Sequence, residues 1–537
     1  MTFFSLLYEK KEEKYGDHQW VKFKKSSLRT REKSYAYRGN KLVRVQDQEE
    51  PILYPSFYED LHLDYLMERI YGKATFNKLQ EVFVHLLGKS QGISYRQQIV
   101  KDLEGDRCYQ AFVNMKNQFL EIKRIQGYSQ EVKERVQSDS YALKAVTLYC
   151  KALERLKEFY REEEVASRGL RRLKELLMNY MESESFRTLK EQSESLQSQF
   201  EQITYQLFIE EKQVIVSFSE GKQNYIQSLA QLLGETDEED YFTNLQVGVE
   251  LNGLESKVLA LLSRQYSELF KQCHKFVEAS RHFIPDFIGV LEEELEFYIG
   301  FIDYMKVLQK KGFHFCYPKI SKLGKMEIQG LYDLALADKK ESAKEIITND
   351  LQIEEQEKGA YITGANQGGK TTFIRGLGQS IYLMALGLPI AGSHAKLPAY
   401  ERIYTHFQAA EDEHTQNGKL KEELIKLEET LESVNAKSLV LINELFSSTT
   451  MKDGHELAKR LINQLTEVGA RVLCVTHIVT LPREERGLVS LVAQVNEEER
   501  SYKIIRKPVD DRAYTQSLIR KYHLSYEEIK ERINYGN

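Results

Sequence analysis

The residues from Ala360 to Thr372 read A-Y-I-T-G-A-N-Q-G-G-K-T-T, with Gly364, Gly369, Lys370 and Thr371 spaced as a glycine, four residues, then Gly-Lys-Thr. Glycines at those positions let backbone N–H groups curl around an anion. A lysine at the end reaches the outer phosphates of a nucleoside triphosphate, and the hydroxyl beside it ligates Mg²⁺. The candidate phosphate cradle is therefore Gly364, Ala365, Asn366, Gln367, Gly368, Gly369, Lys370, Thr371 and Thr372. Two more polar pairs carry chemistry. Asn443-Glu444 follows the apolar run Ser438-Leu-Val-Leu-Ile442, and Thr476-His477 follows Arg471-Val-Leu-Cys-Val475. Polar residues just past the carboxyl ends of buried parallel strands are where such sheets place their active sites. Glu444 has the chemistry to polarise a water attacking a terminal phosphate, and His477 to hold or sense that phosphate. Either would otherwise be a strand-end surface residue.

The elements that position these groups are legible around them. Ala360 to Thr363 suits a short buried strand. Phe373, Leu377, Ile381, Met384 and Ala385 repeat at helical spacing, and Gly387 and Pro389 stop the helix. A helix N-terminus then points its partial positive charge at the same anion. Downstream, Leu420, Leu424, Leu427, Leu431 and Val434 mark one helix, and Leu457, Leu461, Ile462, Leu465 and Val468 another. Strands alternating with helices predict a mostly parallel sheet with helices on its faces. Leu488 to Val495 and Tyr502 to Ile505 read as a hairpin around Asn496-Glu-Glu-Glu-Arg500.

The chain has 537 residues, which exceeds one ordinary core and implies several domains. Its 29% charged residues and net charge of −6 do not mark a nucleic-acid binder as such, though a local basic surface is compatible with them. Five scattered cysteines, with no C-x-x-C pair, argue against a zinc site or a disulfide framework and fit a reducing cytoplasm. The apolar start, Met1 to Leu7, is too short for a signal peptide, and no apolar run reaches the roughly 18 residues of a membrane span. Of the eight prolines none lies between Pro55 and Pro285, so that span reads as long helices. Within it, Ile203 to Ile209 and Val214 to Phe218 switch to strand character around Glu210-Glu-Lys-Gln213, which predicts a β-rich tip between outgoing and returning helices. The stretch up to about Gln46 is basic (Lys22, Lys24, Lys25, Arg29, Arg31) and is either an arm that touches nucleic acid or a solvated segment.

Thr363 to Thr372 closely resembles the phosphate loop of the MutS family, which usually reads T-G-P-N-M-G-G-K-S-T. Leu439 to Gly454 is similar to that family's L-V-L-x-D-E-x-G-R-G-T-S-T-x-D-G block, with Glu444, Thr449, Asp453 and Gly454 matching. Thr476-His477 resembles its T-H pair, Ser94-Tyr-Arg96-Gln97 the R-Q near the start of its lever, and Ile346 to Asp350 a lead-in that forms part of the nucleotide pocket through Ile346 and Asn349. The resemblance implies ATP and Mg²⁺ as cofactors, with Thr371 and residue 443 on the metal. It also implies a core and lever region with a clamp at the lever tips, and a homodimer through the ATPase domains whose ATP sites receive residues from both subunits. The expected architecture is an α/β P-loop NTPase domain of ABC-like type at residues 341–537, behind a mostly α-helical lever over 55–340, with the clamp at about 190–260 and a basic segment at 1–54.

Departures from the family pattern shape the functional expectation. The usual aspartate at the end of the second motif is Asn443, which keeps an acceptor oxygen and loses a charge. The serine expected a few residues before Glu423, which acts across the dimer, has no counterpart; Gly418 stands there. The segment ahead of the lever is too short for the domain with which family members read mismatches. Phe57-Tyr58-Glu59 matches that domain's Phe-x-Glu in letters but sits at the start of a predicted helix. No nuclease-type domain follows, so the nuclease-bearing branch is not expected. A coiled-coil chromosome-type ATPase is disfavoured for want of an S-G-G signature. The expected function is an ATP-gated dimeric clamp on DNA, duplex or branched, with slow turnover. The other reading is an ATP-driven clamp on a protein partner that touches no DNA.

Overall fold

The computed structural model describes residues 4–10, 23–25, 34–38, 41–45, 53–210, 213–218, 253–321, 324–364, 367–408, 416–446, 449–478, 480–484, 487–495 and 500–509. The phosphate-loop motif sits in a sheet built from β1 (Gly359–Gly364), β2 (Arg402–Phe407), β3 (Ser438–Asn443), β4 (Arg471–Val475), β5 (Leu488–Val495) and β6 (Arg500–Arg506). Its order is β2-β3-β4-β1-β5-β6, parallel except for the antiparallel edge strand β6. Ala360, Tyr361 and Ile362 of β1 and Leu439 to Ile442 of β3 are buried on both faces, as the continuous apolar runs require. Helices α1 (Lys370–Ala385), α2 (Gln416–Ser433) and α3 (Met451–Glu467) join these strands.

Close packing of the sheet depends on one glycine. Gly359 opens β1 with φ +154°, and a Cβ there would land on the backbone of Val472 in β4. Gly359→Ala is therefore expected to destabilise the protein by about 3 kcal/mol. The check is a fall in the urea midpoint with an unchanged slope; an unaltered midpoint would show that the strands separate at no cost.

A helical half supplies much of the rest of the molecule, beside a second sheet of four short strands. Helices Ser90–Leu103, Asp106–Glu131, Arg135–Glu162, Arg168–Met181 and Glu184–Glu201 come first, and Gly253–Gln265, Ser267–Ala279 and Asp286–Lys310 follow. Leu170, Leu173, Leu177 and Met181 recur at steps of three and four, so one face of their helix is buried. Ser167 and Ser183 cap the helices Arg168–Met181 and Glu184–Glu201 by accepting from the backbone N–H of Leu170 and Phe186. The strands Tyr205–Glu210 and Gln213–Phe218 pair antiparallel as the change of period predicts. Residues 219–252, about half of the predicted clamp, lie outside the described residues. Among the described residues no helix is long and apolar enough to cross a membrane.

The two halves meet along one face of α1. Arg375, Gln379, Tyr382 and Leu386 follow at steps of four, three and four, which puts them on a single stripe. Arg375 Nε bonds Asp333 at 2.5 Å. Gln379 Nε2 donates to the carbonyl of Leu61 at 2.9 Å while its Oε1 accepts from Leu334 N at 2.8 Å. The Tyr382 and Tyr58 hydroxyls lie 2.6 Å apart. Beyond the end of α1, Arg96 donates from Nη1 to the Leu386 carbonyl at 3.0 Å and from Nε to the Leu7 carbonyl at 2.8 Å. Arg96 is fully buried, with the rings of Tyr8 and Phe297 5.2 and 5.4 Å from its guanidinium carbon. A cation at a helix C-terminus and against aromatic faces offsets part of the cost of that burial.

The apolar start of the chain belongs to this same core. Phe4, Leu6, Leu7 and Tyr8 are buried, and Glu294 accepts from both Ser5 Oγ and Leu6 N at 2.5 Å. The residues that follow, 11–22 and 26–33, which carry much of the predicted basic arm, lie outside the described residues. Phe57 is also a core residue, its ring 6.0 Å from that of Tyr382.

Candidate nucleotide site

The phosphate loop leaves β1 through left-handed backbone. Gly364 has φ +117°, and a Cβ on it would come within 2.9 Å of the Ala493 carbonyl oxygen. Gln367 has φ +61° and Gly369, the N-cap of α1, φ +86°. Glycine takes such angles without steric cost, which explains the motif's glycines at the two ends. Ala365 and Asn366 lie outside the described residues. Gln367 is exposed, Gly368 buried, and Thr372 half-buried on the first turn of α1.

Lys370 is almost fully buried, and its Nζ donates to the Gly364 carbonyl at 2.9 Å, closing the loop on itself. Burial pulls its ammonium below the ordinary lysine value, and the carboxylate of Glu444 opposes that shift. Thr371 Oγ1 donates to Asn443 Oδ1 at 3.2 Å, so the helix start and the end of β3 present two neighbouring oxygens. Both are hard, neutral donors. That set suits Mg²⁺ bound together with the phosphates of a nucleotide, which would bring the missing charge.

Glu444 adopts φ +61°, and its N–H donates to the Val475 carbonyl at 3.0 Å. This turn carries its side chain to His477, whose Nε2 lies 2.7 Å from Glu444 Oε1. An ionised carboxylate only accepts, so the ring donates from Nε2. That bond holds the Glu444 carboxyl below the usual carboxylate range, aided by the charges of His477 and Lys370 against the effect of burial. Glu444 is therefore ionised at neutral pH, and its carboxylate can accept a hydrogen bond from a water. Both side chains remain partly exposed, at 31% and 43%. The structure thus brings Lys370, Thr371, Asn443, Glu444 and His477 to one end of the sheet.

Ile346 and Asn349 belong to the segment whose strand, Asn349–Ile353, packs against β6. Ile346 is nearly buried, and Asn349 grips the main chain of β6, donating from Nδ2 to Tyr502 O at 3.1 Å and accepting on Oδ1 from Ile504 N at 2.7 Å. Asn349 thereby holds that strand in place. Glu423 is a positioning residue that the motifs did not single out. Its Oε1 accepts from the N–H of Phe446 at 3.1 Å and so ties α2 to the turn that follows Glu444. Burial raises its carboxyl. A signal was available: Glu423 falls three residues after Leu420 and four before Leu427, on the face of α2 that the leucines bury. Thr450 caps α3 by accepting from Asp453 N at 3.2 Å, and its hydroxyl donates to Asp453 Oδ2 at 2.7 Å.

Comparison with known proteins gives the same motifs a wider frame. Residues 360–519 match MutS domain V, and residues 89–311 match the MutS2 N-terminal domain. Among similar curated proteins is the DNA mismatch repair protein MutS of Lactobacillus delbrueckii subsp. bulgaricus, 30% identical over 247 residues, covering 45% of this chain and 28% of that protein. The protein of the same name from Thermotoga petrophila is 28% identical over 274 residues, 49% of this chain and 33% of its own length. That of Streptococcus pyogenes serotype M1 is 30% identical over 159 residues, 29% and 19% respectively. The matched stretches are thus a third or less of these relatives.

Proposed function

The chain belongs to the MutS family, and on that premise we propose that it is an ATP hydrolase whose homodimer closes as a clamp on DNA. The observation that carries this reading is the meeting of Lys370, Thr371, Asn443, Glu444 and His477 at the carboxyl end of one parallel sheet. Lys370 supplies charge to the β- and γ-phosphates. Thr371 and Asn443 hold Mg²⁺ beside the nucleotide, and the metal, when bound, neutralises phosphate charge. Glu444 takes a proton from the attacking water. His477 orients Glu444 and stands next to the γ-phosphate, so loss of that phosphate alters its hydrogen bonding.

Phosphate binding at the N-terminus of α1 reaches the helical half through the stripe Arg375, Gln379, Tyr382 and Leu386. Levers that respond to ATP are the consequence. The test is binding of a labelled duplex, mismatched duplex, four-way junction and single strand, with and without ATP, across a range of salt. A salt-dependent, ATP-dependent preference among them supports DNA as the partner. No binding to any of them would leave the protein clamp as the surviving reading.

Within that panel the fully paired and mismatched duplexes are expected to bind equally. A wedge must unstack bases from an exposed position, whereas the Phe57 ring is in the core against α1. A preference of about tenfold or more for the mismatch, lost in Phe57→Ala, would overturn this expectation.

A further inference from the structure

The start of the chain is held in a way that apolar packing alone does not account for. Phe4, Leu6, Leu7 and Tyr8 are buried, yet residues 4–10 form neither helix nor strand. A buried irregular segment must find partners for its main-chain polar groups. Here the side chains of two helices supply them. From Ser90–Leu103, Tyr95 and Arg96 donate to the carbonyls of Ser5 and Leu7 at 2.7 and 2.8 Å. From Asp286–Lys310, Tyr298 donates to the Leu6 carbonyl at 2.5 Å, and Glu294 accepts from Leu6 N and the Ser5 hydroxyl. At the far end of the segment, Arg168 and Gln91 donate to Glu9 at 2.7 and 2.9 Å. Arg96 and Glu294 are 0% and 5% exposed, and buried charges are costly unless hydrogen-bonded. The helices thus present a charged, buried set of groups whose partners are the main chain of an extended peptide.

Arg96 also faces the other half of the protein. Its Nη1 donates to the Leu386 carbonyl just past α1, and a Cβ on Gly387 would come within 2.5 Å of the Arg96 Cβ. The end of α1 therefore rests directly on this residue. The guanidinium is held at Nε by Leu7 and at Nη1 by Leu386, while Nη2 has no hydrogen-bond partner among the described residues. Removal of Leu7 would leave one of those two bonds to orient a buried cation.

We infer that Ser90–Leu103 and Asp286–Lys310 form a peptide-binding site, that residues 4–9 are its ligand, and that the seated peptide locks Arg96 so that α1 and the helical half move together. The inference rests on the nucleotide-site reading of the loop at the opposite end of α1. It adds a second route between the halves that works only while the peptide is seated.

The test follows main-chain hydrogen exchange of the full chain with and without ATP, in the wild-type protein, Leu6→Asp and Leu6→Val. Aspartate puts a charge at a fully buried position and expels the segment, which is read as fast exchange at residues 6–8. In Leu6→Asp, ATP affinity is expected to stay near wild type, while the ATP-induced change in exchange along Ser90–Leu103 falls roughly fivefold or more. A synthetic peptide of residues 2–10 added in trans should restore that change, and Leu6→Val should behave as wild type. Glu294→Gln keeps the volume and loses one of the two acceptors, and it carries the same test if Leu6→Asp does not fold. An undiminished ATP response with the segment expelled would overturn the inference. So would a lost response that the peptide fails to restore, since the segment would then be core packing and no ligand. ATP binding to the wild-type protein with no response in Ser90–Leu103 would overturn the inference and leave the nucleotide site standing. Absence of ATP binding would bring down the nucleotide-site reading, and this inference with it.

Discussion

Lys370→Ala is expected to lower ATP affinity by about a hundredfold or more and to bring hydrolysis to background. A charged hydrogen bond to phosphate is worth roughly 1.5–3 kcal/mol, and the lysine supplies its charge to two phosphates at once. The fold should survive. The ammonium is held at a cost in a buried position, and its Nζ closes the loop on the Gly364 carbonyl. Alanine also preserves the helix start, since Gly369 rather than residue 370 carries the left-handed N-cap. The measurements are an equilibrium ATP titration and a urea transition on the same protein. Lys370→Met keeps the aliphatic stem and separates loss of charge from loss of volume. Wild-type ATPase in a folded Lys370→Ala protein would refute the assignment of the loop.

How much of this could be read before the structure depended on the range of the interactions. β1, β3 and β4 were legible because a strand buried on both faces must be apolar throughout, and Ser438–Asn443 and Arg471–Val475 end where their polar pairs begin. The helix from Lys370 was legible through its glycine punctuation. The four-stranded sheet of Asn349–Ile353, Met326–Leu331, His394–Pro398 and Lys319–Ser321 was not. Its strands are short and pair across long sequence separations, so no local period marks them. The start of the chain was hidden for a related reason: Phe4 to Tyr8 look like any short apolar run until Glu294, Tyr298 and Arg96 are brought to their backbone.

The site itself was legible in its parts and not in its joints. Lys370, Thr371, Glu444 and His477 follow from motif spacing, but the 2.7 Å bond between Glu444 and His477 depends on a left-handed turn at a glutamate, for which residue type gives no warning. Tyr502, likewise, is in the sequence only one residue of a hairpin strand. Its position against Gly369 comes from Asn349, a residue more than a hundred positions away, gripping the main chain.

The second large effect concerns the pair at the end of β3. Thr371 and Asn443 face each other as two neutral oxygens, so the protein lends Mg²⁺ no charge from position 443. Asn443→Asp keeps the acceptor that receives the Thr371 hydroxyl and adds a full negative charge in the same place. The Mg²⁺ concentration for half-maximal activity is expected to fall, by roughly tenfold, because a hard divalent cation prefers carboxylate to amide oxygen. Turnover should rise with it. Without the metal the new carboxylate sits beside Glu444, and two like charges there favour holding a proton. The gain should therefore disappear at low Mg²⁺, which a general improvement in folding would not reproduce. Glu444→Gln tests the other half of the arrangement. Glutamine still accepts from His477 but cannot take a proton, so hydrolysis should drop by about 10²- to 10⁴-fold while ATP stays bound. Together these results would describe a site tuned to remain ATP-bound for long periods, the state in which a clamp is closed. Fast wild-type turnover, with Asn443→Asp changing neither the rate nor the Mg²⁺ dependence, would refute that tuning and place the metal on groups other than Thr371 and Asn443.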